Sequence, residues 1–214
     1  MSALREAQLG AIRATNPALV VVDVQQSFAD PAVIGSYGAD LATVQSAVDT
    51  IATLVTAARN AGVPVVWVEL GSDPERPWRA SAWLRGGDPG APFGPEEPCV
   101  VGTPGAEWFG VTPADGEIRV VKRGYSGFLG TGLADRLTSR GIGWLAICGL
   151  TTECCVAATA TDACQLDWPV LIPQDATAAY EKELHEAALA QLALNVAVLT
   201  DSAELIELWK AAPA

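Results

Sequence analysis

The sequence predicts an α/β protein, a three-layer sandwich in which a six-stranded parallel sheet is covered by helices on both faces. Three observations point there. Short apolar runs of strand length alternate with longer stretches of helical spacing along most of the chain. The first of these runs is continuously apolar, as in a strand buried on both faces. Apolar residues make up 50% of the 214 residues and charged residues 18%. A chain of this size buries roughly 70% of its unfolded surface, so disorder is not expected.

The elements follow in order. Ala18 to Val22 is a continuous apolar run ending at Asp23, the pattern of a buried parallel strand. Leu41, Val44, Val48, Ile51, Leu54 and Val55 recur at helical spacing, and Gly62 followed by Pro64 closes that helix. Val63 to Leu70 is the second strand. The stretch from Gly71 to Glu117 is irregular and holds eight of the 14 prolines. It is long for a connection within a compact domain. Its aromatic residues, among them Trp78, Trp83, Phe93 and Phe109, predict a packed lid or pocket wall with room for short helical turns. Ile118 to Val121 is the third strand, with Lys122 at its end. Thr131 to Arg140 is a short helix closed by Gly141, and Trp144 to Cys148 is the fourth strand. A helix is expected from about Glu153 to Leu166, a fifth strand at Val170 to Ile172, and a helix from Glu183 to Leu194. Val196 to Leu199 is the sixth strand. Asp201 and Glu204 then form a capping box that opens the last helix.

The expected strand order is Rossmann-like, 3-2-1-4-5-6, within a single domain spanning residues 1–214. Sheets of this kind bind ligands at the carboxyl ends of their strands, near the switch in strand order. That rule selects Asp23, Glu69 to Gly71, Lys122, Gly149 to Cys155 and Pro173 to Asp175.

Composition narrows the partners. The net charge is −12 and the sequence pI about 4.4, a field that repels nucleic acid and anionic membranes. No apolar run reaches the ~18 residues of a membrane span, and Met1 to Pro17 lacks the apolar stretch of a secretion signal. A cytoplasmic protein is expected. The cysteines are Cys99, Cys148, Cys154, Cys155 and Cys164, an odd number that argues for reduced thiols. Their spacing does not suit zinc, and His185 is the only histidine.

Three strand-end residues are chemically complementary. Asp23 is a carboxylate, Lys122 a cation, and Cys155 a thiol at the start of a helix. Free N–H groups and partial positive charge at a helix start, with a lysine nearby, favour a thiolate. Each residue also has an ordinary reading: a turn-forming aspartate, a solvated lysine, a small core cysteine. Their convergence at one sheet edge favours chemistry.

The motifs add to this. Leu19 to Phe28 reads LVVVDVQQSF, Val121 to Leu133 reads VKRGYSGFLGTGL, and Ile147 to Ala163 reads ICGLTTECCVAATATDA. Together, and in this order, they resemble the three motifs of the isochorismatase-like cysteine hydrolase superfamily, over about residues 18 to 200. The resemblance implies an Asp23–Lys122–Cys155 triad. Cys155 aligns with the nucleophile, rather than Cys154, because Val156 follows it. It also implies a non-proline cis peptide joining Leu150 to Thr151, and an oxyanion hole from the N–H groups of Thr151 and Cys155. Homodimers or tetramers are common in the family, so self-association is expected.

Departures from the family's branches narrow the activity. Nicotinamidases of this superfamily bind a metal through an aspartate and histidines after the second strand. Here that region reads ELGSDPERPW, so neither a catalytic metal nor any other cofactor is expected. Isochorismatases proper lack the cysteine, which makes vinyl-ether hydrolysis the weaker alternative. What remains resembles the metal-free amidohydrolases. These cleave C–N bonds of carbamoyl amino acids such as N-carbamoylsarcosine, of biuret, ureidoacrylate or maleamate-type amides, or of a lactam. Phe28, Leu150 and Cys154 are pocket candidates by position, followed by Glu69, Tyr125 and Trp78. Trp83 is a further wall candidate, and Arg76, Arg79, Arg85 and Arg123 are candidates for binding a substrate carboxylate or simply surface charges. His185 reads as a surface residue. A non-catalytic binding protein, and a thiol-redox role for Cys154 and Cys155, are the alternatives from other classes.

Overall fold

The fold is described from a computed structural model, over residues 3–88, 90–91, 93–94 and 97–210. β1 (Asn16–Val22) lies at the centre of the sheet, and every residue from Pro17 to Val22 is buried. Its side chains alternate between two cores. Leu19 and Val21 join Trp67, Ala146 and Cys148 on one face, while Ala18, Val20 and Val22 join Val66, Val68, Leu145 and Ile147 on the other. Two apolar faces explain a run with no polar alternation.

β2 (Val65–Leu70) and β3 (Ile118–Lys122) lie to one side of β1. β4 (Ile142–Leu150), β5 (Val170–Pro173), the two-residue β6 (Thr177–Ala178) and β7 (Val198–Thr200) lie to the other. The strand path is β3-β2-β1-β4-β5-β7, and all pairs are parallel. This is the expected order, with β7 as the sixth strand of the path. β6 is an addition that pairs with the end of β4. Two residues carry no periodicity, so the sequence gives no sign of it.

One face is covered by α1 (Ala3–Ile12), α4 (Leu41–Asn60) and α9 (Ser202–Lys210). The single-turn α2 (Gln26–Ala29) and α3 (Pro31–Ile34) precede α4 in the chain, and α5 (Arg79–Leu84) lies in the long segment after β2. The other face is covered by α6 (Leu133–Thr138), α7 (Ala157–Gln165) and α8 (Lys182–Asn195). The Asp40 side chain caps α4 by accepting from the N–H of Thr43 at 3.1 Å, and Asp201 does the same for Glu204 of α9 at 2.8 Å. α4 has the length and hydropathy of a membrane span, yet it packs Val44, Val48, Ile51, Leu54 and Val55 into the core. α1 falls where only a polar start was read. Leu9 and Ile12 are its only buried residues, and Arg5 anchors it on Leu199 and Glu204.

Two features shape the sheet edge that carries the candidate site. β4 runs to Leu150, two residues past its expected end, and Gly149 adopts φ 126°. A side chain there would meet the carbonyl oxygen of Val22 at 2.0 Å, so only glycine lets β1 and β4 close at this point. The helix expected from Glu153 begins instead as a π-helical turn, Thr152–Val156, before α7. Such turns are frequent at functional sites.

Candidate active site

Asp23 follows β1 in the left-handed region, at φ 52°. Aspartate is one of the few residues that tolerates this conformation. Its carboxylate is fully buried, and Lys122 Nζ lies 2.6 Å from Oδ2. Lys122 is the last residue of β3, where the alternating burial of the strand turns it inward. A strand-end lysine ordinarily reaches solvent, but this one is 1% exposed. Its ammonium has three protons and three neighbours: Asp23, the carbonyl of Gly124 at 3.0 Å, and Cys155 Sγ at 3.3 Å. The structure thus brings Asp23, Lys122 and Cys155 together. Asp23 is held by charge more than by hydrogen bonds, since beyond the Lys122 contact neither oxygen meets a donor at good geometry.

The π-turn presents Cys155. Cys154 and Val156 both donate their N–H to the carbonyl of Thr151, at 3.2 Å each. The Leu150–Thr151 peptide bond is cis. His185, read as a surface residue, is instead half-buried on α8, and its Nδ1 lies 2.8 Å from the hydroxyl of Thr152. Burial holds its pKa below the usual histidine value. The turn is therefore tied to α8 as well as to β4.

The electrostatics correct one expectation. The Cys155 thiol is pushed up, not down: its hydrogen bond to Cys154, its burial and the charge of Asp23 all disfavour the thiolate, and Lys122 opposes them only in part. The pull of the helix start and of Lys122 is outweighed by the Cys154 hydrogen bond, by burial and by the carboxylate of Asp23. Cys154 shifts downward, chiefly through the same hydrogen bond. Burial raises Asp23 above the usual carboxylate value, and Lys122 pulls it back only partway. Burial alone would lower Lys122, but the charges of Asp23 and Cys155 outweigh it and hold the ammonium charged. These influences favour a charged ammonium at Lys122 and a neutral thiol at Cys155, while burial and the Lys122 charge pull Asp23 in opposite directions.

This predicts a chemical signature. Replacing Cys154 by alanine removes the largest cause of the Cys155 shift, so alkylation of Cys155 by iodoacetamide near pH 8 should quicken several-fold. Peptide mapping of the labelled protein measures it. A Cys155 labelling rate unchanged by Cys154→Ala would show that the two sulfurs do not share a proton.

Cys155 opens into a cavity of about 220 Å³. Leu150, Thr151, Cys154, Phe28 and Tyr180 line it together with Cys155. The segment after β2 supplies much of the remaining wall, including Ser72, Arg76, Trp78, Leu84 and Phe93. Trp78 and Tyr125 meet edge to face, with ring centroids 4.7 Å apart. The pocket candidates Phe28, Leu150, Cys154, Tyr125 and Trp78 are thus all on the wall. Glu69 is not: its carboxylate takes two bonds from Arg119, at 3.0 and 3.1 Å. The strand-end rule placed it by position, but its side chain faces a cation on the neighbouring strand. Trp83 is 73% exposed and, like Arg79, is absent from the wall, whereas Arg76, Arg85 and Arg123 are on it. Tyr180 was missed. It lies beyond β6, and only its aromatic character could have pointed to it.

Cys99 and Cys148 are buried and do not line this cavity. Burial pushes Cys99 up to about 12 and Cys148 higher still. Among the described residues, no group of three or more His, Cys, Asp or Glu is gathered to hold a metal ion. Asp73 is present after β2 but the histidines of the nicotinamidase metal site are not, so the residues do not fit that metal.

Comparison with known proteins agrees with the fold. Residues 17–204 match the isochorismatase domain family. The ureidoacrylate amidohydrolase RutB of Methylobacterium radiotolerans is 33% identical over 195 residues, covering 81% of this chain and 72% of the relative. N-carbamoylsarcosine amidase from Thermoplasma acidophilum superposes with a TM-score of 0.70 at 26% identity, covering 87% of this chain and 96% of that one. The pyrazinamidase of Pyrococcus horikoshii, solved in complex with zinc, superposes with a TM-score of 0.70 at 28% identity, covering 87% and 99%. By the span of the family match, by the identity to RutB and by the sheet that carries Asp23, Lys122 and Cys155 at one edge, this chain belongs to the isochorismatase family.

Proposed function

We propose that this protein hydrolyses a C–N bond of a small amide or ureido compound through a thioester on Cys155. The chain is a hydrolase of carbon–nitrogen bonds other than peptide bonds, like the ureidoacrylate amidohydrolase and carbamoylsarcosine amidase it resembles. The observation that carries the mechanism is the buried ammonium of Lys122, 2.6 Å from Asp23 and 3.3 Å from Cys155, behind a cavity that Cys155 lines. At about 220 Å³ the cavity is smaller than the 300–1,000 Å³ of ordinary ligand pockets, which restricts the substrate to a small molecule.

Because the resting thiol is neutral, attack needs a base. Asp23 takes the Cys155 proton as the sulfur adds to the carbonyl carbon. The N–H groups of Thr151 and Cys155 receive the oxyanion. Asp23 then protonates the departing nitrogen, leaving an acyl or carbamoyl thioester on Cys155. Asp23 next draws a proton from water, which attacks the thioester and releases the acid and the thiol. Lys122 stays charged throughout, orienting Asp23 and offsetting negative charge at the sulfur. The segment from 71 to 117 serves as the wall that gives the site its selectivity.

Ammonia release from 3-ureidoacrylate, followed against pH, tests this reading. Ionised Asp23 is the required form, and its pKa lies above the ordinary 3.8. Activity should therefore fall as pH drops through a value higher than that of a free aspartate. A kcat/KM that stays flat down to pH 4 would remove Asp23 as the base.

A further inference from the structure

We infer that the substrate carries an anionic group, and that Arg76 and Arg123 hold it at the cavity mouth. This deepens the reading above and rests on it for the position of the scissile bond. The overall charge of the chain is −12, with 13 lysines and arginines spread over 214 residues. Three of these cations, Arg76, Arg85 and Arg123, nevertheless converge on one small cavity. Arg85 is already committed, with Nη2 2.6 Å from Glu97, which lines the same wall. Arg76 and Arg123 are not: among the described residues, neither guanidinium has a hydrogen bond or an ion pair, although Asp73 also lines the cavity.

Their positions follow from the elements that carry the site. Arg123 directly follows Lys122, and Gly124, whose carbonyl accepts from Lys122, comes next. Arg76 comes from the segment after β2, two residues before Trp78. Trp78 packs on Gly124 closely enough that a Cβ there would sit 3.6 Å from its ring. Both arginines also border the neighbouring cavity, together with Trp78 and Tyr125, so they stand at the partition between the two spaces. A guanidinium offers planar paired donors that match a carboxylate, and an unpaired one at an aromatic-walled opening is suited to bind an anion. In a strongly acidic protein a local cationic mouth also draws in the anions that the rest of the surface repels. The ligand class is a small ureido or amide acid whose carboxylate lies at the outer end, with the reacting carbonyl at Cys155.

Two probes that differ only in that group make the test. 3-Ureidopropionate and n-propylurea share the ureido head and chain length, one ending in a carboxylate and the other in a methyl. The quantity read is the ratio of their kcat/KM values. The ratio should favour the acid in the wild type, and drop about tenfold in Arg123→Gln and in Arg76→Gln, as expected for loss of a partly exposed charged contact. Arg123→Lys should retain part of it. Arg79→Gln, which lies off the wall, should keep the wild-type ratio. Raising the salt should erode the preference. A ratio unmoved by either arginine variant, or a wild type that prefers n-propylurea, would overturn the inference. Dissociation constants of both probes for the Cys155→Ala protein provide a second readout that needs no turnover. If the wild type cleaves neither probe but the binding preference is present and lost in the arginine variants, the proposed reaction fails and the anion site stands. If binding shows no preference, the anion site fails whatever the turnover.

Discussion

Cys155→Ala should reduce ammonia release to the uncatalysed background, a loss of roughly 10⁴-fold or more in kcat/KM, the scale seen when a covalent nucleophile is deleted. The same change should leave the fold standing. Cys155 is buried at the base of the cavity, and removing its sulfur costs on the order of 1–2 kcal/mol, a few degrees in melting temperature for a chain of this length. Lys122 keeps its contacts with Asp23 and Gly124. Separating the two effects is the point of the variant: full loss of turnover with a preserved unfolding transition assigns the chemistry to one sulfur. Cys154 is the competitor that makes this a real test. It lines the same cavity, and its thiol is the one shifted downward. What distinguishes Cys155 is contact with the ammonium, at 3.3 Å. Mass spectrometry of the wild type quenched during turnover should find the acyl adduct on Cys155. An adduct on Cys154, or a Cys154→Ala variant that is dead while Cys155→Ala remains active, would transfer the role to the neighbour.

Much of this arrangement was legible in the sequence, for identifiable reasons. The strands announce themselves because burial on both faces demands unbroken apolar runs, as in Leu19 to Val22. The parallel sheet followed from β–α alternation, and its Rossmann-like strand order brings Asp23, Lys122 and Cys155 to one edge. The rest depended on side-chain direction and on charge. Glu69 sits at a strand end like Asp23, yet it turns towards Arg119 of the adjacent strand, a pairing set by register and not by local sequence. The sign of the Cys155 shift depends on its hydrogen bond to Cys154, on its burial and on the nearby Asp23 charge, and no motif encodes that geometry. His185 looked like a surface residue on a polar helix turn, but its partner Thr152 is 33 residues away in the chain. Among its described residues, the wall segment from 71 to 117 is mostly irregular. Its aromatic residues signalled packing, but could not say that Trp78 turns in while Trp83 turns out.

Lys122→Met should be the most destabilising single change at the site, costing roughly 3–5 kcal/mol at pH 8. Methionine nearly preserves the volume of the stem, so the loss comes from charge and not from a cavity. Without the ammonium, the Asp23 carboxylate is left fully buried with no counterion at 2.6 Å and with almost no hydrogen bonds to compensate. The pH dependence fixes the cause. Burial already holds the folded-state pKa of Asp23 above 3.8, and losing Lys122 removes the main influence that lowers it. A carboxyl whose pKa is higher in the folded than in the unfolded state favours folding while protonated, and that advantage is lost as pH rises through the folded value. The deficit of Lys122→Met relative to wild type should therefore be largest at alkaline pH and shrink on acidification, as Asp23 takes up a proton. Adding Asp23→Asn removes the stranded charge and should recover most of the stability, because deleting both members of a buried pair costs far less than deleting one. Both variants should be inactive, the double mutant despite its recovered stability: Lys122→Met loses the charge that orients Asp23 and favours its ionised form, and the double mutant lacks the base itself. Urea unfolding at several pH values measures each term. A Lys122→Met protein as stable as wild type at pH 8, or a deficit that grows on acidification, would mean that Asp23 and Lys122 do not face each other as a charged pair.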